Sequence, residues 1–138
     1  MDSRTRAREL AMQALYQLDV QGGDILERLG VFFEENAPDD ESVRKLARDW
    51  TRGTWENVTQ CDEIIVASTI KWEISRLSFV DKSILRLAVY QLKFCPDVPP
   101  KVVINEAIEL AKKFSTAQSP GFVNGVLDAV RKRLKLES

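Results

Sequence analysis

An all-α fold is what this sequence predicts: six or seven short helices packed as one domain over residues 1–138. Three observations predict it. Apolar residues recur at i, i+3, i+4 and i+7 through segment after segment. Glycine and proline punctuate the pattern, and no stretch alternates apolar and polar residues as a strand would. A chain of this length can build a single core, burying roughly 65–70% of the surface its unfolded form exposes.

The first helix covers residues 4–20, with Ala7, Leu10, Ala11, Ala14, Leu15 and Leu18 as its buried stripe. Gly22-Gly23 stops it. Asp24 is placed to cap a second helix, with Ile25, Leu26, Leu29, Phe32 and Phe33 inward, ending before Pro38. A third starts near Asp40 and carries Val43, Leu46, Ala47, Trp50 and Thr54; a fourth starts near Thr59 with Ile64, Ile65 and Ile70. Ser78-Phe79-Val80-Asp81 matches a capping box, in which hydroxyl and carboxylate satisfy each other's backbone N–H groups. The helix behind it is apolar on nearly all sides (Ile84, Leu85, Leu87, Ala88, Val89, Tyr90, Leu92), as a central helix must be. Pro96, Pro99 and Pro100 end it and open the next, whose inward residues are Val103, Ala107, Leu110, Ala111 and Phe114, widened by Ile104 and Ile108. Ser119-Pro120 reads as an N-cap followed by proline at the first helical position. The last helix then buries Val123, Val126, Leu127 and Val130, while Gly121 and Gly125 suggest close approach by another backbone.

Composition excludes several function classes. Lys and Arg number 20 against 21 Asp and Glu, so bulk electrostatics cannot hold nucleic acid, and any such binding needs a local basic patch or a partner. The ends are cationic (Arg4, Arg6 and Arg8; Arg131, Lys132, Arg133 and Lys135), and the acids concentrate between Asp24 and Asp49. There is no histidine, which removes the commonest general base and most zinc sites. Cys61 and Cys95 lack metal or redox spacing and read as two reduced, buried thiols. No paired carboxylates, glycine-rich phosphate loop or membrane-length apolar run is present. A cytoplasmic protein without a metal site is expected, and the lack of histidine weighs against catalysis.

Three features could carry function. Arg4, Arg6 and Arg8 offer forked donors to phosphate oxygens, or form a solvated terminus. Tyr16 falls nearly opposite the buried stripe of its helix, so it is either covered by another helix or exposed for a partner. Lys112, Lys113, Phe114 and Phe122 flank one loop. They make a platform on which unpaired bases stack while lysines reach the backbone, or a core edge with snorkelling lysines. The C-terminal cations are read as helix-end charges opposite the dipole.

Together the segments resemble the NusB family. The resemblance is carried by Arg6-Ala7-Arg8-Glu9 with Gln13-Ala14-Leu15-Tyr16, by residues 80–92, by the run from Asp97 to Phe114, and by Phe122-Val123-Asn124-Gly125-Val126-Leu127-Asp128. It implies about seven helices in two small bundles packed together, with no reaction catalysed and no cofactor needed. It implies pairing with the ribosomal protein NusE, joint binding of single-stranded boxA RNA, and an antitermination complex with NusA, NusG and RNA polymerase, chiefly on ribosomal RNA operons. It further implies RNA contacts from Arg4, Arg6, Arg8, Lys112, Lys113, Phe114 and Phe122, and NusE contacts from Tyr16 and Asp81. The free protein is left as monomer or homodimer. One departure stands out: where the family has Gly and then acidic residues after Phe114, this chain has Ser115-Thr116-Ala117-Gln118, so fine RNA specificity does not transfer. Two alternatives are an accessory domain of an RNA-modifying methyltransferase, expected within a much longer chain, and a protein-only adaptor or structural homodimer. The expectation to test is a helical body with two separate outer surfaces, one cationic and aromatic, the other centred on Tyr16.

Overall fold

Helix α1 (Ser3–Gln21) opens the chain, its first turn capped by Asp2, whose carboxylate accepts the Arg4 N–H at 2.8 Å. The structure, a computed structural model, describes residues 2–69 and 74–136. Gly22 ends α1 at φ 97°, a left-handed backbone that glycine adopts without cost. The six remaining α-helices among these residues are α2 (Leu29–Asn36), α3 (Glu41–Glu56), α4 (Val58–Ala67), α5 (Phe79–Phe94), α6 (Pro100–Phe114) and α7 (Ser119–Arg133). No strand occurs among them.

The expected second helix is split. Gly23–Arg28 is a 3-10 turn rather than α-helix, and Asp24 lies inside its first turn instead of capping it. Gly23 backs onto the Trp55 indole, where an added Cβ would meet Nε1 at 3.0 Å, so the tighter turn follows a close approach to α3. Asp40 does cap α3, accepting the Val43 N–H at 3.1 Å. The last part of the expected fourth helix, at Ile70, lies outside the described residues.

α1 packs with α2 and α3 as one bundle, α5 with α4, α6 and α7 as another, and the α1–α5 contact joins them. Arg8 lies beside Gln91 and Tyr16 beside Phe79, so α1 and α5 run antiparallel. On its other side Arg8 meets Glu106, and Glu9 meets Lys113, so α1 and α6 run parallel. α5 is buried from Ser83 to Val89, as its all-round apolar sequence requires. α1 proves to be the second central helix: Arg8, Glu9 and Met12 are buried along with the apolar stripe.

Gly53 of α3 accommodates Tyr90 of α5, because a Cβ there would overlap the Tyr90 hydroxyl and ring. Tyr90 is itself stacked on Phe94, with centroids 5.4 Å apart, so it cannot simply turn away. Gly53→Ala is expected to destabilise by up to about 2 kcal/mol. Overpacking costs about 1–3 kcal/mol, and the better helix former returns just under ~1 kcal/mol. A thermal melt checks this, with Tyr90→Leu restoring stability in the double variant. Gly121 and Gly125, in contrast, face open space, and no backbone approaches them.

Candidate nucleic-acid and protein interface

Of the residues singled out in the sequence, Arg6, Tyr16, Lys113 and Phe114 lie along one side of α1. At its start, Arg4 is exposed and Arg6 half-buried. Arg6 donates from Nη2 to the Asn36 carbonyl at 2.7 Å and from Nη1 to Glu9 Oε2 at 3.4 Å. Across the groove, Lys113 Nζ reaches Glu9 Oε1 at 2.6 Å. Glu9 is only 4% exposed, yet it bridges two cations from helices far apart in sequence. The sequence offered a hint of this: Glu9 sits on the Tyr16 side of α1, which must meet something other than the main stripe.

Lys112 and Lys113 occupy the last turn of α6, where the helix dipole favours positive charge. Lys112 pairs with Glu109 at 3.1 Å, and Lys113 Nζ also lies 5.3 Å from the Phe114 ring centroid. The groove between α1 and α6 is lined by Glu9, Glu106, Glu109 and the two lysines. Glu9 and Glu106 lie deep in it, while Lys112, Lys113 and Glu109 are solvent-exposed.

Arg8 is placed differently from expectation. It is 2% exposed, with Nε donating to Gln91 Oε1 at 3.2 Å, Nη1 to Glu106 Oε1 at 3.3 Å, and the guanidinium 5.0 Å over the Trp50 ring. Burial pushes its pKa below the usual guanidinium range, and Glu106 opposes that shift. Nothing of Arg8 reaches the surface to meet a phosphate. The cause is the helical period: Arg8 follows Ala7 around onto the α5–α6 side of α1, while Arg4 stays at the frayed, exposed end.

Phe114 and Phe122 are half-buried and belong to different grooves. Phe114 lines a shallow one with Met12, Gln13, Tyr16, Gln17, Phe32 and Val80. Phe122 lines another with Ser78, Asp81, Thr116, Gln118 and Ser119. Phe114 is thus a neighbour of Tyr16, and the two expected surfaces adjoin along one side of α1 instead of lying apart. Two helical turns separate Glu9 from Tyr16, so they share a face about 10 Å apart.

Tyr16 is 40% exposed and meets the edge of Phe79, itself 45% exposed, at a centroid distance of 6.0 Å. Lys82 Nζ sits 4.8 Å over the Phe79 ring and bonds Asp19 at 3.1 Å; Arg86 joins Asp19 at 3.3 Å and grips Asp62 with two 2.8 Å bonds. Exposed aromatics are thereby fixed on a rigid base. Phe79 was not anticipated as a site residue. A large apolar side chain directly after the helix cap, off the buried face, is the signal that could have found it.

Asp81 forms only half of the expected capping box. The Ser78 hydroxyl accepts the Asp81 N–H at 3.1 Å, but the Asp81 carboxylate accepts from Ser115 Oγ at 2.7 Å and Ser119 Oγ at 3.0 Å. It ties the start of α5 to the α6–α7 loop. Ser119, whose hydroxyl is used there, is the first residue of α7 and not its cap. Cys61 is buried and Cys95 half-buried, both free, with burial pushing the Cys61 thiol up to about 12. No metal-binding cluster occurs among the described residues, and no helix of theirs is long and apolar enough to cross a membrane.

A sequence profile described as the NusB family matches residues 5–132. The chain belongs to the NusB family. The transcription antitermination protein NusB of Geobacter sulfurreducens is 42% identical over 134 residues, covering 97% of each chain. That of Anaeromyxobacter dehalogenans is 48% identical over 127 residues, covering 92% of this chain and 89% of the relative. A crystal structure of antitermination factors NusB and NusE in complex with double-stranded RNA superposes with a TM-score of 0.87 at 29% identity, covering 96% of this chain and 98% of that one. NusB relatives carry the name of a transcription antitermination protein, a regulatory role and not an enzymatic one.

Proposed function

We propose that this NusB-family chain binds single-stranded boxA-type RNA along the edge where α1 begins and α6 ends, while holding the ribosomal protein NusE on the Tyr16–Phe79 face. The pair, with NusA and NusG, keeps RNA polymerase termination-resistant, chiefly on ribosomal RNA operons, in the cytoplasm. Arg4, Arg6, Lys112 and Lys113 supply the phosphate donors, Phe114 and Phe122 the stacking surfaces. Tyr16 and Asp81 serve the partner side, and Arg8 supports the site from inside.

The observation that carries this reading is adjacency. A cationic edge and a rigidly based pair of exposed aromatics share one side of α1, with Phe114 in the groove between them. A partner seated on Tyr16 would lie within reach of RNA crossing Lys113. A near-neutral protein with few phosphate donors holds RNA modestly, and a second protein that adds its own contacts raises the affinity of the assembly. The solved complex of a NusB with NusE and double-stranded RNA supports the joint binding of NusE and RNA.

Arg6→Ala and Lys113→Ala test the RNA edge. Each is expected to weaken binding of a labelled single-stranded RNA and to lower the slope of log affinity against log salt by about 0.7, the share of one phosphate contact on a single strand. Fluorescence anisotropy across a salt series measures both. Unchanged slopes in both variants would remove the phosphate role from this edge, and tighter binding of a duplex of the same sequence would replace the single-stranded reading with a double-stranded one.

A further inference from the structure

Two carboxylates in the α1–α6 groove carry the same charge but do opposite jobs. Glu9 is 4% exposed and accepts from Arg6 Nη1 and Lys113 Nζ on separate oxygens. Glu109 has a 65% exposed side chain and, among the described residues, pairs with Lys112, three residues along its own helix. We infer that Glu9 is a positioning residue for nucleic-acid backbone, a buried clamp that sets the spacing of Arg6 and Lys113, whereas Glu109 is a solvated charge that only opposes the ligand. This inference rests on the RNA reading of the edge.

The case is one of donor counting. A lysine ammonium has three N–H donors and a guanidinium five. Glu9 engages one from each, and the Asn36 carbonyl one more from Arg6, at its Nη2. The inner donors face Glu9, which leaves the outward donors of both cations for phosphate oxygens. Long cationic side chains otherwise lose rotamer freedom on binding. With Glu9 beneath them, Arg6 and Lys113 have lost that freedom already, so part of the ordering cost is absent when a phosphate arrives. Lys113 is additionally held over Phe114, which places a donor beside a ring.

Charge alone predicts that neutralising either carboxylate strengthens an anionic ligand. The clamp predicts a split. Glu9→Gln is expected to weaken binding of a labelled single-stranded RNA roughly five- to tenfold, about the loss of one charge-assisted contact. Glu109→Gln is expected to leave affinity unchanged or raise it up to about threefold, by removal of one exposed like charge. Lys113→Gln combined with Glu9→Gln should lose less than the product of the two single effects, because both act through one ammonium. Circular dichroism and thermal melts confirm that each variant is folded. If Glu9→Gln weakens the fold, Glu9→Asp, which keeps the charge on a shorter stem, supplies the second reading: its affinity should lie between those of wild type and Glu9→Gln. Tighter RNA binding by both Gln variants, or strictly multiplicative losses in the double variant, overturns the clamp. Absence of RNA binding by the wild-type chain, alone or with NusE, would instead overturn the RNA reading on which the clamp rests.

Discussion

Tyr16→Asp is expected to weaken NusE binding about thirty- to a thousandfold, the ~2–4 kcal/mol typical of an aromatic hot spot. The ring is 40% exposed and braced edge-on by Phe79, so it has little packing role to lose and much contact area to offer. An aspartate there would also face Asp19, already shared between Lys82 and Arg86, and add a like charge to the centre of the face. Surface changes of this kind usually shift folding stability by no more than about 0.5 kcal/mol. Isothermal calorimetry with purified NusE measures the loss, and a thermal melt measures the fold. Phe79→Asp should behave alike. Val31→Asp, more exposed at 59% and on α2, should bind as wild type does. Equal NusE affinity for Tyr16→Asp and wild type would return Tyr16 to an incidental exposed position.

Arg8→Ala is expected to destabilise the fold by about 2–4 kcal/mol and to reduce RNA affinity only as far as it unfolds the chain. Arg8 joins four helices: it lies on α1, bonds Gln91 of α5 and Glu106 of α6, and stacks over Trp50 of α3. Removing it leaves a cavity at the junction of the two bundles and strips Glu106 of its partner. Glu106 keeps the Thr5 hydroxyl at 2.6 Å and some solvent, which limits the penalty. Arg8 Nη2 is buried without a hydrogen-bond partner among the described residues, which further lowers what the wild-type residue contributes. Urea denaturation followed by circular dichroism gives the value from the midpoint and slope. A variant as stable as wild type that nonetheless loses RNA binding would mean that Arg8 swings outward to meet phosphate.

Much of the fold was legible because helical periodicity is a strong signal when cores are continuous. The apolar set of α7 and most of those of α3 and α6 occupy the interior as their spacing requires, with Leu46, Ile108 and Phe114 partly buried at its edge. What the pattern could not show was burial of charge. Arg8 read as a phosphate donor because it is charged, yet it and Glu9 are each paired across helices, and the periodicity of α1 alone carries no record of α6 lying alongside it. The Ser78–Asp81 box misled for a related reason. Its spacing is local, whereas the Asp81 carboxylate is drawn to Ser115 and Ser119 from a loop more than thirty residues away. The candidate site was legible as residue types and not as an arrangement. Helix geometry singled out Tyr16, residue types singled out the lysine–phenylalanine run, and the family resemblance gave them partners, but nothing in one dimension placed Phe114 beside Tyr16 or brought Phe79 to its edge.

Thermodynamic linkage between the two faces is the sharpest question, because binding free energies must be reciprocal. Anisotropy of a labelled single-stranded boxA RNA, titrated with this chain at fixed salt in the presence and absence of saturating NusE, measures it directly. At least tenfold tighter binding with NusE, abolished by Tyr16→Asp, is the predicted result. The same affinity in both titrations, for a chain that demonstrably binds NusE, would contradict a shared edge and leave the two faces as unrelated patches.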